Sequence, residues 1–102
     1  MKKIVLLVIF SLLFGCGVGV DKYLGTWNYG APLSFRIYKS GDAIVVEEFI
    51  KESGVLIRRQ EAKLVDGALV FEQGMFNKFI YNPDRDTITP IGHMVAPELK
   101  RM

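Results

Sequence analysis

Leu64-Val65-Asp66-Gly67-Ala68-Leu69-Val70-Phe71 decides the fold. An Asp-Gly pair between apolar, β-prone flanks is a strong short-range hairpin signal, because two consecutive positive-φ residues let the flanking strands twist together. Working outward, the same grammar repeats. Upstream, Lys51-Glu52-Ser53-Gly54 turns the chain into a strand over 55–64, and Ser40-Gly41-Asp42 introduces another over 43–50, rich in β-branched residues. Leu33 to Tyr38 alternates so that Leu33, Phe35 and Ile37 share a face, and residues 23–29 form the opening strand before Gly30-Ala31-Pro32. Downstream, Gln73-Gly74 precedes a strand over 75–81. The cluster Asn82-Pro83-Asp84-Arg85-Asp86 turns the chain, and residues 87–91 form a late strand. Pro90 cannot donate to a ladder, so this strand is expected at an edge or ending there. The tail from Gly92 to Met102 fits a helical turn or a frayed end, and no stretch has a 3.6-residue apolar period. Short strands joined by tight turns predict an all-β antiparallel meander of seven or eight strands, curled into a small barrel to bury one face.

Before this domain stands MKKIVLLVIFSLLFGC, Met1 to Cys16. Lys2 and Lys3 precede an apolar run from Ile4 to Phe14 that only Ser11 interrupts, the composition of a secretory signal. The run is short for a membrane span, which needs about 20 residues, and glycines weaken its continuation toward Val20. An uncleaved anchor and an ordinary cleaved signal are the alternatives.

Leu13-Phe14-Gly15-Cys16 resembles the lipobox of bacterial lipoproteins: an aliphatic residue, a variable one, a small one, then the cysteine. Phe14 is bulkier than the usual occupant of its position. The resemblance implies that Cys16 receives a diacylglycerol through a thioether, that cleavage precedes it, and that its amine is acylated. No cofactor beyond these covalent chains is expected. Stable attachment by acylation takes more than one chain, which a multiply acylated cysteine supplies. A lone thiol also cannot staple a fold internally. The domains expected are a signal peptide over 1–15, the lipidated Cys16 with a tether to Lys22, and one β domain over 23–102.

The chain of 102 residues less 15 leaves 87, enough for one small domain. Its formal charge of +2 comes from 13 basic and 11 acidic residues; without Lys2 and Lys3 the two balance at 11 each. Nothing here favours nucleic acid as a partner. Gly17 after the cysteine, where an Asp would stand for inner-membrane retention, resembles the outer-membrane pattern of two-membrane bacteria. The expected location is the cell envelope, lipid-anchored.

Gly25-Thr26-Trp27 at the start of a β meander resembles the Gly-x-Trp opening of lipocalin-like (calycin) folds. That resemblance implies that Trp27 closes one barrel end beside a basic residue from a late segment, here Lys100 or Arg101. It also implies a carrier of small apolar molecules, although the chain is shorter than a lipocalin and lacks that family's disulfides.

Candidates for chemistry are few. His93 is the only histidine and Cys16 is committed to lipid, so no metal site is expected. Asp84 and Asp86 belong to a turn without the remaining ligands of a calcium loop. No serine pairs with histidine in a recognised motif, so no catalytic residue is assigned and an enzyme is not expected. Glu47-Glu48 and Arg58-Arg59 are expected to oppose each other across neighbouring strands. Trp27, Tyr29, Tyr38 and Tyr81 are the candidates for contact with a ligand or partner, since such rings bury an apolar body and keep a polar handle. The leading expectation is a non-enzymatic envelope lipoprotein that binds another protein as an accessory, structural or inhibitory module. It predicts an exposed apolar patch on the face turned from the tether. The alternative is a carrier or sensor of a small apolar ligand, with a cavity lined by Phe35, Ile37, Phe79 and Tyr81.

Overall fold

The computed structural model describes residues 18–30, 32–74, 76–93 and 96–102; the signal segment with Cys16 lies outside the described residues. Eight antiparallel strands run in sequence order and close into a barrel: β1 (Gly25–Gly30), β2 (Leu33–Ser40), β3 (Ala43–Ile50), β4 (Leu56–Val65), β5 (Ala68–Val70), β6 (Phe76–Asn82), β7 (Thr87–Gly92) and β8 (Leu99–Arg101). One 3-10 turn, Val20–Lys22, precedes them.

Alternation produces the core. From β2, Phe35 and Ile37 point inward with Ile44 and Val46 of β3, Leu69 of β5, Phe76 and Phe79 of β6, and Ile88 of β7. The rings meet edge to face: Phe35–Phe79 at 5.5 Å and Phe71–Phe79 at 4.8 Å between centroids. That geometry sets a positive ring edge against a negative face. Burying each such side chain contributes about 1.5–3 kcal/mol, which lets a domain of this size hold together without a disulfide.

The Asp-Gly hairpin is as expected, with φ of 52° at Asp66 and 83° at Gly67 joining β4 to β5. Pro90 lies inside β7, which runs on to Gly92, so the strand does not end there. β8 covers only Thr87 and Ile88 of β7, however, so Pro90 occupies a locally unpaired flank, as its missing donor requires. The tail corrects the sequence reading. Leu99–Arg101 is neither helical nor frayed but a strand that closes the barrel, pairing Trp27↔Arg101 and Asn28↔Lys100. The start differs as well: Tyr23 precedes β1 and is wholly buried beneath it.

The meander gives the barrel two ends. The 3-10 turn, the Asp66-Gly67 turn and the turn over 83–86 share one end, and the turn over 51–55 lies at the other. Part of the expected tether is docked, because Val18 and Val20 pack against the core.

Candidate functional site

The four aromatic candidates fall in three places. Trp27 and Tyr81 come together at the tether end, with ring centroids 6.4 Å apart, and Tyr23 lies 5.8 Å from Tyr81. Tyr29 packs edge-on against Phe35 and Phe76 higher in the barrel. Tyr38 lies on the outer face, where its hydroxyl donates to Glu47 Oε2 at 2.8 Å.

Trp27 is wholly buried and donates its indole N–H to the Tyr23 carbonyl at 2.9 Å. Over it lies Arg101, with its guanidinium carbon 4.2 Å from the ring centroid. Of the two basic residues expected there, Arg101 makes the contact. Its Nη1 donates to the Leu24 carbonyl and its Nη2 to the Lys22 carbonyl, both at 2.9 Å. Its Nε and Nη2 fork onto Asp86 at 2.9 and 3.1 Å. Asp86 also accepts from the Tyr81 hydroxyl at 2.7 Å. The Arg101 hydrogen bond, then that of Tyr81, holds the Asp86 carboxyl below its ordinary range, and the same bond to Asp86 pushes the Tyr81 phenol up. Burial raises the Tyr23 phenol, partly offset by the Tyr81 backbone N–H. Arg101, Asp86, Tyr81 and the backbone before β1 are joined by one connected set of hydrogen bonds, so the arrangement is a latch.

Gly25 explains the spacing of Gly-Thr-Trp. Its φ is 129°, and a Cβ added there would stand 2.9 Å from Arg101 Nη1. Only glycine both adopts that backbone and lets the guanidinium pass.

The expected charge opposition is present, Glu47 facing Arg59 and Glu48 facing Arg58. Glu47 is the hub. Arg59 and Arg36 approach it at 3.6 and 3.7 Å, and Arg36 also covers the outward Phe49 ring at 4.5 Å. The other chemical candidates sit in turns. His93 is exposed just after β7. Asp84 N–H donates to the Asn82 side chain at 2.9 Å, which is turn chemistry. Among the described residues, no three metal-ligating side chains converge.

Among the described residues, a long unpaired strand edge lies along β4. β3 pairs with β4 from Leu56 to Ala62, but on its other side the β5 ladder covers only Lys63–Val65. A groove of about 470 Å³ follows the uncovered stretch, bounded by Arg58, Gln60 and Ala62 and by Glu72 to Gly74. Lys63 and Glu72 face each other across it at 3.8 Å. At its far end the register slips, Glu48 pairing with Arg58 but Phe49 with Leu56, so Ile57 is an extra residue. Apolar side chains face solvent here, Val55 just before β4 and Leu56 and Ile57 at the bulge, about half exposed at 54, 51 and 46%. Sequence reasoning missed this place, although it carried a signal. Three consecutive apolar residues in a strand of period two cannot all face inward.

Comparison of the chain with protein-family models, curated proteins and solved structures finds no match.

Proposed function

We propose that the chain is a lipid-anchored envelope lipoprotein whose barrel is a non-enzymatic protein-binding module, serving a partner as an accessory, structural or inhibitory subunit. The observation that carries the binding half is the far end of β4. Exposed Val55, Leu56 and Ile57 adjoin a strand edge that β5 leaves open, at the end opposite the tether. An open edge offers backbone donors and acceptors to an extended segment of another protein, and neighbouring apolar side chains add affinity. Lys2-Lys3, the apolar run and Leu13-Phe14-Gly15-Cys16 support the anchor.

A small-ligand carrier is the second reading, favoured by the Gly25-Thr26-Trp27 opening with Arg101 over Trp27. Weighing against it, Phe35, Ile37 and Phe79 are 3, 1 and 1% exposed and packed on one another.

The test is intact mass spectrometry of protein extracted from its native membrane, beside a Cys16→Ala control, followed by photo-crosslinking from position 57. The expected result is a chain beginning at Cys16 with acyl mass, joined to one envelope protein from position 57 and not from Arg85 at the other end. A chain retaining Met1 to Gly15 without acyl mass refutes the anchor. Equal capture from both ends refutes the binding edge. A co-purifying apolar molecule that resists dilution would favour the carrier.

A further inference from the structure

The barrel has a second exposed apolar surface, on its outer face at the tether end. The registers Val65↔Ala68 and Ala68↔Ile80 set three apolar residues in one row across β4, β5 and β6. Val65 is 48% exposed and Ile80 40%. The next row, away from that end, is Lys63, Val70 and Lys78, with both lysines exposed. This outer face is apolar near one end and carries two lysines one row in, of which Lys63 shares an exposed ion pair with Glu72 at 3.8 Å that lipid phosphate can replace and Lys78 projects beside it.

The chain itself indicates what covers it. Val18 borders a groove of about 400 Å³ with Val65, Ala68 and Ile80. Only Gly17 separates Val18 from Cys16, and two residues span at most about 7 Å. We propose that this face seats on the lipid bilayer, its apolar row at the headgroup–acyl boundary and Lys63 and Lys78 on lipid phosphates. The proposal rests on the anchor reading above. Acyl chains attached at Cys16 emerge beside the row, so the bilayer lies within a residue or two of it. A protein partner there would have to wedge between barrel and membrane. Lysine stems lie along apolar surface while their ammonium groups reach phosphate, the arrangement that interfacial segments use. Asp66 at the hairpin tip keeps the seating shallow, since a carboxylate is costly in the hydrocarbon. Such seating fixes the orientation of the barrel and points the open edge of β4 away from the membrane.

The experiment uses the full-length acylated protein in vesicles of phosphatidylethanolamine and phosphatidylglycerol. With Cys16 acylated, Val65→Cys supplies the one free thiol for an environment-sensitive dye, and Ile57→Cys serves as the far-end control. Lipids brominated high on the acyl chain are expected to quench the dye at 65 several-fold more than the dye at 57. Removing phosphatidylglycerol should weaken quenching at 65, and Lys63→Gln with Lys78→Gln should weaken it in the same way. Intact mass on the same sample reports acylation. Acylated protein with equal quenching at both positions overturns the seating alone, and unacylated protein overturns the anchor and the seating together. Dye–dye quenching at 65 that rises with protein density but ignores the brominated lipid assigns the face to a second copy and overturns the proposal.

Discussion

Arg101 directs four hydrogen bonds into the latch: two to backbone carbonyls that hold the segment before β1 and two to the oxygens of Asp86, with its plane on Trp27. Hydrogen bonds from a charged donor are each worth about 1.5–3 kcal/mol net when well formed, and an exposed cation–π contact about 0.5–1. The side chain is 34% exposed, which screens part of this. Arg101→Ala is therefore expected to lower unfolding free energy by about 2–3 kcal/mol in urea titration, through loss of those charged hydrogen bonds and the ring contact. Arg101→Lys should recover little of it, because an ammonium lacks the planar fork that reaches both partners. The latch also sets the pH response. Asp86 is depressed by Arg101 and Tyr81, so its contribution is present above the ordinary carboxylate range near pH 4 and is lost as pH falls through its lower folded value. Tyr81 is raised by Asp86, so its contribution is present below about pH 10 and is lost as pH rises through its higher folded value. Thermal unfolding followed against pH should show both losses. Asp86→Asn should flatten the acid limb and shrink the alkaline one, since it removes the carboxylate that raises Tyr81.

Among the elements, the β4–β5 hairpin ties local turn chemistry to the latch. The Tyr23 hydroxyl donates to the Gly67 carbonyl at 2.6 Å and accepts from the Tyr81 N–H at 2.9 Å, fastening the turn to the chain before β1. Gly67→Ala forces a side chain onto a φ of 83° and should cost about 1 kcal/mol or somewhat more. Asp66→Asn, at a φ of 52° that asparagine accepts, should be neutral; equal losses from both in thermal melts would mean the turn does not fix the register. Turns of this kind explain why most of the meander was legible. Asp66-Gly67, Ser40-Gly41-Asp42 and the Leu33-Phe35-Ile37 alternation each encode a turn or a face within a few residues. β8 was not legible, because three residues carry no period and Leu99–Arg101 is extended through pairing on both flanks, with Thr87 and Ile88 of β7 and with Trp27 and Asn28, more than 70 positions earlier. The open flank of β4 was hidden for a related reason. Its length is in the sequence, but the shortness of β5 opposite it is a property of the pairing.

For the whole molecule, closure depends on β8, the short strand that joins β7 to β1. A barrel of this size has no surplus, since globular domains hold about 0.05–0.15 kcal/mol per residue. β8 supplies the wholly buried Leu99 and the Arg101 fork, and just beyond it the Met102 N–H donates to the Thr26 carbonyl at 3.0 Å. Burial of one leucine is worth about 1.5–3 kcal/mol, to which the loss of the Arg101 contacts adds a similar amount. A chain ending at Glu98 should therefore lose most of its stability and expose both the β1 and β7 edges. The expected readouts are loss of the near-ultraviolet circular dichroism of the buried Trp27 and concentration-dependent association through the freed edges. If the truncated chain keeps the Trp27 signal and a cooperative melt, then the aromatic interior holds the sheet curled without the seam. In that case the β1–β8 ladder is a gate, and the far end of β4 would have to be weighed against this second openable edge as the place where a partner strand adds. Crosslinking from Asn28 as well as from Ile57 would decide between them, and the latch geometry around Arg101 predicts capture from Ile57.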